Sequence, residues 1–177
     1  MPKLIVYACP VGQLAEQLDV YFAQSRVACG PNAAHQYMPH CTLTGFFEDT
    51  TSSIPAYADG LARSRQQHWR SQPHPPIVIT GLTFRENWHG LELSSAWLQQ
   101  WMGDFDRTVT APTGSAPLRL KSWLHLSLAY GFDHTHHTTL QELAQTLIDP
   151  QSPVEWELRL YERHADGTWT CHQRLSI

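Results

Sequence analysis

The sequence predicts an α+β fold, and three observations predict it. Helical and strand periodicities interleave along the chain. Two pairs of strand-like runs are joined by short turn sequences, which makes each pair antiparallel. A histidine-led strand, a helix and a hairpin then occur in the first half and recur in the second.

Each element has its own signature. Leu4 to Cys9 is a short apolar run ending at Pro10 and reads as a strand. Gln13 to Ala28 carries Leu14, Leu18 and Phe22 at helical spacing, and "CGPN" stops it. Pro39 has no N–H to give a ladder, so it suits the start of a strand running from His40 to Phe47. "EDTTSSIP" is turn chemistry, followed by a weaker helical stretch from Ile54 to about Trp69 despite Gly60. "SQPHPP" breaks the chain again. Ile77 to Phe84 and His89 to Ser95 form a hairpin around "RENW". Ser95 to Val109 is predicted helical and "TAPTGSAP" a loop. Trp123 to Phe132 is the next strand and "DHTHH" a loop. Thr139 with Glu142 three residues on is a capping-box pattern for a helix over Leu140 to Ile148. "VEWELRLYERH" alternates, with Val154, Trp156, Leu158 and Leu160 on one side. "ADGT" turns it into a closing strand, "WTCHQRLSI".

The bulk numbers bound the function. The 177 residues suffice for one core, or for two small lobes sharing one, so 1–177 is read as a single domain. Net charge is −4, with no basic excess of the kind a long nucleic-acid groove needs, while a small phosphorylated ligand requires only a few donors. Cys9, Cys29, Cys41 and Cys171 show no C-x-x-C spacing, so neither a zinc ribbon nor a redox pair is indicated. The start, "MPKLIVYACPVG", has one lysine and too short an apolar run for a signal peptide, and no stretch is long enough to cross a bilayer. A cytoplasmic, monomeric protein with free thiols and no membrane partner is expected.

The pattern His-x-[Ser/Thr]-aliphatic occurs three times, as "HCTL" at His40, "HLSL" at His125 and "HTTL" at His137. The third falls at a predicted helix start within a His-rich loop, where threonines cap helices. The first two lie in predicted strands, where residues i and i+2 share a face. His40, Thr42 and Thr44 then point one way, with Cys41 and Leu43 the other; His125 and Ser127 pair likewise. Either histidine alone is most simply an ordinary strand residue. Two, each with its hydroxyl, suit transfer at a phosphate diester. One imidazole takes a proton from the nucleophile, the other gives one to the leaving oxygen, and the hydroxyls donate to the phosphate oxygens. That chemistry calls for no metal and no cofactor. Arg119 and Lys121, just before the second motif, are either surface charge or partners of a dianionic product.

"PHCTLTG" and "HLSLAYG", 85 residues apart between their histidines, resemble the paired motifs of the two-histidine (2H) phosphoesterases, most closely the cyclic phosphodiesterase branch. "VYACP" is similar to that branch's first strand. The resemblance implies two antiparallel sheets flanked by helices, with a central cleft between pseudo-symmetric lobes. It implies hydrolysis of a cyclic phosphate, 2′,3′ on a nucleotide or 1″,2″ on ADP-ribose. RNA ends carrying a cyclic phosphate, 2′–5′ RNA ligation and a non-catalytic nucleotide-binding module are the alternatives. By the same resemblance, His40 and His125 are the acid–base pair and Thr42 and Ser127 bind phosphate. Tyr130 contacts substrate, and Tyr7 lines the nucleotide side. Strict alternation turns Tyr130 away from His125 unless the strand bends, for which Gly131 is the candidate.

Overall fold

A computed structural model describes residues 1–69, 77–113 and 116–177. The break expected at "SQPHPP" lies outside the described residues, as does the middle of the loop "TAPTGSAP". The elements are β1 (Lys3–Val11), α1 (Gln13–Cys29), β2 (Cys41–Thr42), β3 (Phe47–Glu48), α2 (Ile54–Trp69), β4 (Val78–Arg85) and β5 (Trp88–Ser94), then α3 (Ala96–Thr113), β6 (His125–Tyr130), α4 (His137–Leu147), β7 (Glu155–Arg163) and β8 (Trp169–Ser176). The class is α+β, and every strand pair among the described residues is antiparallel.

The strands form one continuous sheet in the order β4-β5-β6-β2-β1-β7-β8, with β3 beside β1. The two antiparallel sheets expected are thus joined edge to edge into one, each half holding a hairpin plus a central strand. The register pair Cys41 opposite Leu126 joins them across the middle, and an isolated antiparallel bridge between Thr44 and Leu120 continues the join. Alternation then decides the layers. Leu4, Val6 and Ala8 of β1, Leu126 and Leu128 of β6, and Leu158 and Leu160 of β7 turn to one face. There they pack with Leu14 and Leu18 of α1, Tyr57 and Leu61 of α2, Leu98, Trp101 and Phe105 of α3, and Ala144 of α4. Among the described residues all four α-helices thus cover the same face. On the opposite face Ile5, Tyr7, Cys9 and Tyr161 form a smaller cluster.

Several local expectations are corrected. The strand predicted from His40 to Phe47 holds its ladder only over Cys41–Thr42. The Val6 N–H goes to the side-chain hydroxyl of Thr44 (3.0 Å) instead of to a backbone carbonyl, and the amides of Leu43 and Thr44 share the Val6 carbonyl. A hydroxyl inserted into the ladder breaks it. Thr44 is therefore fully buried and structural, not a further group on the site face. Thr139 does not cap α4, which begins at His137; Asp133 instead accepts from the Thr135 amide and caps the 3-10 turn that leads in. The helix expected to end at Val109 continues to Thr113.

Candidate functional site

The register that joins the half-sheets also builds the site. With Cys41 opposite Leu126 in an antiparallel pair, His40 stands beside Ser127 and Thr42 beside His125. Cys41 and Leu126 point into the helix-side core, which leaves the imidazoles and hydroxyls on the open face. They line a cleft of about 260 Å³ together with Phe22, Ala34, Tyr37, Met38, Trp88 and Tyr130.

Both histidines are held alike. His40 Nδ1 lies 2.7 Å from the Met38 carbonyl, and His125 Nδ1 lies 3.2 Å from the Trp123 carbonyl. A carbonyl only accepts, so Nδ1 carries the proton in each ring and Nε2 is left free for a ligand. Burial pushes the His40 pKa down to about 4, against the opposing pull of the Met38 carbonyl and with a smaller push from His125. Burial lowers His125 as well. The Lys121 and Arg85 charges push it further down, while the Trp123 carbonyl and Glu92 support its charged form.

The packing around the two rings differs. His40 sits over the ring of Tyr7, centroids 3.9 Å apart. Tyr7 is only 1% exposed, so it supports His40 from behind instead of lining the nucleotide side as expected. His125 is stacked on Trp123 at 3.8 Å and meets Trp88 edge-on at 5.3 Å. Arg85 lies over both indoles, 5.5 Å from Trp88 and 4.9 Å from Trp123.

Tyr130 does line the cleft, and the bend that turns it there is not at Gly131. His89 pairs with Ala129 while the next residue, Gly90, pairs with Ser127, so Leu128 is an extra residue bulged out of β6. A bulge inverts the alternation beyond it. Arg119 is exposed and lies against Gly45, and Lys121 lines a separate apolar cavity with Leu43, Leu98 and Met102; neither borders the cleft. No group of three or more His, Cys, Asp or Glu side chains is arranged to hold a metal among the described residues. No helix among them is long and apolar enough to cross a membrane.

Trp88, expected in the hairpin turn, belongs to β5 and lines the cleft. The turn is Glu86-Asn87 alone, because Arg85 pairs with Trp88. The Trp88 indole N–H then donates to Ser127 Oγ at 2.9 Å. "W-H-G" after a two-residue turn was the only local signal available.

No family model matches the chain. Its backbone superposes on E. coli LigT in apo form with a TM-score of 0.57 at 17% identity, covering 99% of this chain and 97% of that one. E. coli LigT complexed with 3′-AMP gives 0.55 at 18% identity, covering 99% and 98%. The structure of a phosphoesterase gives 0.54 at 16%, covering 100% and 99%. The chain has the two-histidine phosphoesterase fold. In sequence it is 31% identical to mouse ubiquitin-associated and SH3 domain-containing protein B over 99% of its own length and 27% of that protein's. It is 33% identical to the ecdysteroid-phosphate phosphatase of Bombyx mori over 97% of its length and 26% of that protein's. This two-histidine fold therefore spans about a quarter of the length of the curated relatives it matches.

Proposed function

We propose that the cleft hydrolyses a cyclic phosphate on a nucleotide, 2′,3′ or 1″,2″ on ADP-ribose, with no metal in the chemical step. The observation that carries this reading is the antiparallel pairing of the two motifs, which gathers two imidazoles and two hydroxyls around one cavity of nucleotide-fragment size. The similar LigT structure holding 3′-AMP supports a nucleotide ligand. The phosphatase relative supports phosphoester chemistry only coarsely, since its name describes a protein about four times longer than the match. The cyclic phosphodiesterase branch is read from the seven residues "HLSLAYG".

In this reading His40 is the base. Its low pKa keeps it neutral, with Nε2 as an acceptor. A water oxygen attacks phosphorus while His40 Nε2 takes one of its protons. The bond from phosphorus to one ribose oxygen breaks, and that oxygen takes the proton carried by His125 Nε2. The Thr42 and Ser127 hydroxyls donate to the non-bridging oxygens as charge grows there. The product is a ribose monophosphate ester, and exchange with solvent restores both histidines.

The test is turnover of 2′,3′-cyclic nucleotides and ADP-ribose 1″,2″-cyclic phosphate in EDTA. Activity is expected to survive the chelator and to fall by about 10²- to 10⁴-fold in His40→Ala and in His125→Ala. Loss of activity in EDTA that a divalent metal restores would overturn the reading.

A second substrate, the cyclic-phosphate end of an RNA, is favoured by one feature. On the sheet face beside the cleft, Lys3 lies 4.7 Å over the ring of Phe46, and Arg163 lies over both Tyr37 and Trp169. Cations interleaved with aromatic rings suit a short single strand. A higher kcat/KM for a cyclic-ended oligonucleotide than for the mononucleotide would select it; equal values would dismiss it.

A further inference from the structure

We propose that Trp88 is a positioning residue of the cleft: its indole N–H fixes the Ser127 hydroxyl so that the hydroxyl proton points at the bound phosphate. The proposal rests on the reading of the cleft as a phosphate site.

An indole N–H can only donate, so the 2.9 Å contact occupies a lone pair on Ser127 Oγ. Ser127 makes no other side-chain hydrogen bond among the described residues, and its one proton is left to donate outward. A free serine hydroxyl rotates among several acceptors, water included. One tethered at its lone pair is aimed before the ligand arrives, which removes a reorganisation cost at the moment charge develops. Thr42 has no such tether, so the two phosphate donors differ in how they are prepared.

The backbone makes room for this tether. Trp88 opens β5 opposite Tyr130, whereas Ser127 faces Gly90, further along the ladder. To reach Ser127 the indole must lie back along its own strand, over residue 90. A Cβ at Gly90 would run into the Trp88 ring atoms Cζ2 and Cη2 and the Leu126 carbonyl. Gly90 is thus the seat on which the ring rests. The same ring stands edge-on to His125 at 5.3 Å, so one side chain braces both members of the second motif.

The experiment is a double-mutant cycle. Trp88→Phe retains a ring and removes the donor; replacement of Trp88 by benzothienylalanine does so without changing shape, should the phenylalanine variant fold poorly. Either is expected to lower kcat/KM for a 2′,3′-cyclic nucleotide about tenfold in the wild-type background and to cost nothing further in Ser127→Ala. An equal loss in both backgrounds overturns the proposal. Independently of turnover, Ser127→Ala is expected to shift the Trp88 indole N–H resonance and to speed its exchange; an unmoved resonance also overturns it. If the wild-type protein hydrolyses no cyclic phosphate, the reading of function fails by itself, and the cycle is measured on affinity for inorganic phosphate. A protein that neither turns over nor binds phosphate overturns the positioning role along with the function.

Discussion

Cys41 faces Leu126 across the centre of the sheet, and neither side chain touches the cleft. This apolar pair nevertheless sets the site. Its register puts each histidine beside the hydroxyl of the other motif. A slip of β2 by one residue against β6 would turn His40 into the helix-side core and leave His125 alone on the open face.

The two threonines of "CTLT" separate by role. Thr42 lines the cleft, and its hydroxyl has no partner within the fold among the described residues, whereas Thr44 accepts the Val6 N–H. Thr42→Val is expected to lower kcat by about 10- to 1,000-fold with little change in melting temperature. Thr44→Val strands a buried amide and is expected to cost about 1–3 kcal/mol of stability while leaving kcat near normal below the melting transition. Thermal denaturation and steady-state kinetics on the two variants check this, and the reverse assignment would refute it.

The pH–rate profile should sit on the acidic side. His40 must be neutral and His125 charged for a productive encounter. In the free protein His40 titrates near 4, and His125 below the ordinary histidine value of 6.5. The kcat/KM bell is therefore expected to rise through pH 4 and to decline before 6.5, as a property of the coupled pair. A bound anion favours both charged forms, so the kcat profile should move to higher pH. A kcat/KM optimum at pH 8 would overturn the assignment of base and acid.

His89 predicts how stability depends on pH. It is 0% exposed, both ring nitrogens lack partners among the described residues, and Phe84, Phe132 and His137 surround it. Burial first, and the His137 charge second, lower its pKa to about 4. Between that value and the unfolded value of 6.5 the unfolded chain binds more protons than the folded one. Stability from this group is thus complete above 6.5 and is lost as pH falls toward 4. His40 adds to the same slope. The melting temperature is expected to drop by several degrees between pH 7 and pH 4.5, and His89→Phe should flatten that drop. An unchanged slope in the variant would remove His89 as its source.

Gly90→Ala tests the floor under Trp88. The added methyl meets the indole and a backbone carbonyl, only one of which can move away. The expected cost is about 1–3 kcal/mol, with a red-shifted tryptophan emission as the ring is pushed toward water. An alanine variant that matches the wild type in melting temperature and emission would show that the seat is not needed.

The order and type of the elements, the two motifs and the shared face of imidazole and hydroxyl were legible in the sequence, because each follows from spacing within a few residues. His40 with Thr42, and His125 with Ser127, need only a period of two. Tyr130 was legible as a candidate but not as a cleft residue. The extra residue at Leu128 shows only against its partner strand, where His89 and Gly90 face Ala129 and Ser127. Tyr7 was expected at the ligand by the resemblance of "VYACP", and a motif match does not reveal which ring will be covered; His40 covers it. Thr44 looked like a site hydroxyl until Val6, 38 residues away, claimed it. Trp88 carried only the weak mark of "W-H-G" after a turn, and its role could not be read there, since its hydrogen bond spans 39 residues. The sequence by itself determined which chemical groups are present and how they pair within each strand, since that is a matter of local backbone period. The tertiary structure alone decided which strand meets which and in what register, because hydrogen-bonded pairing between distant segments is settled by the whole core.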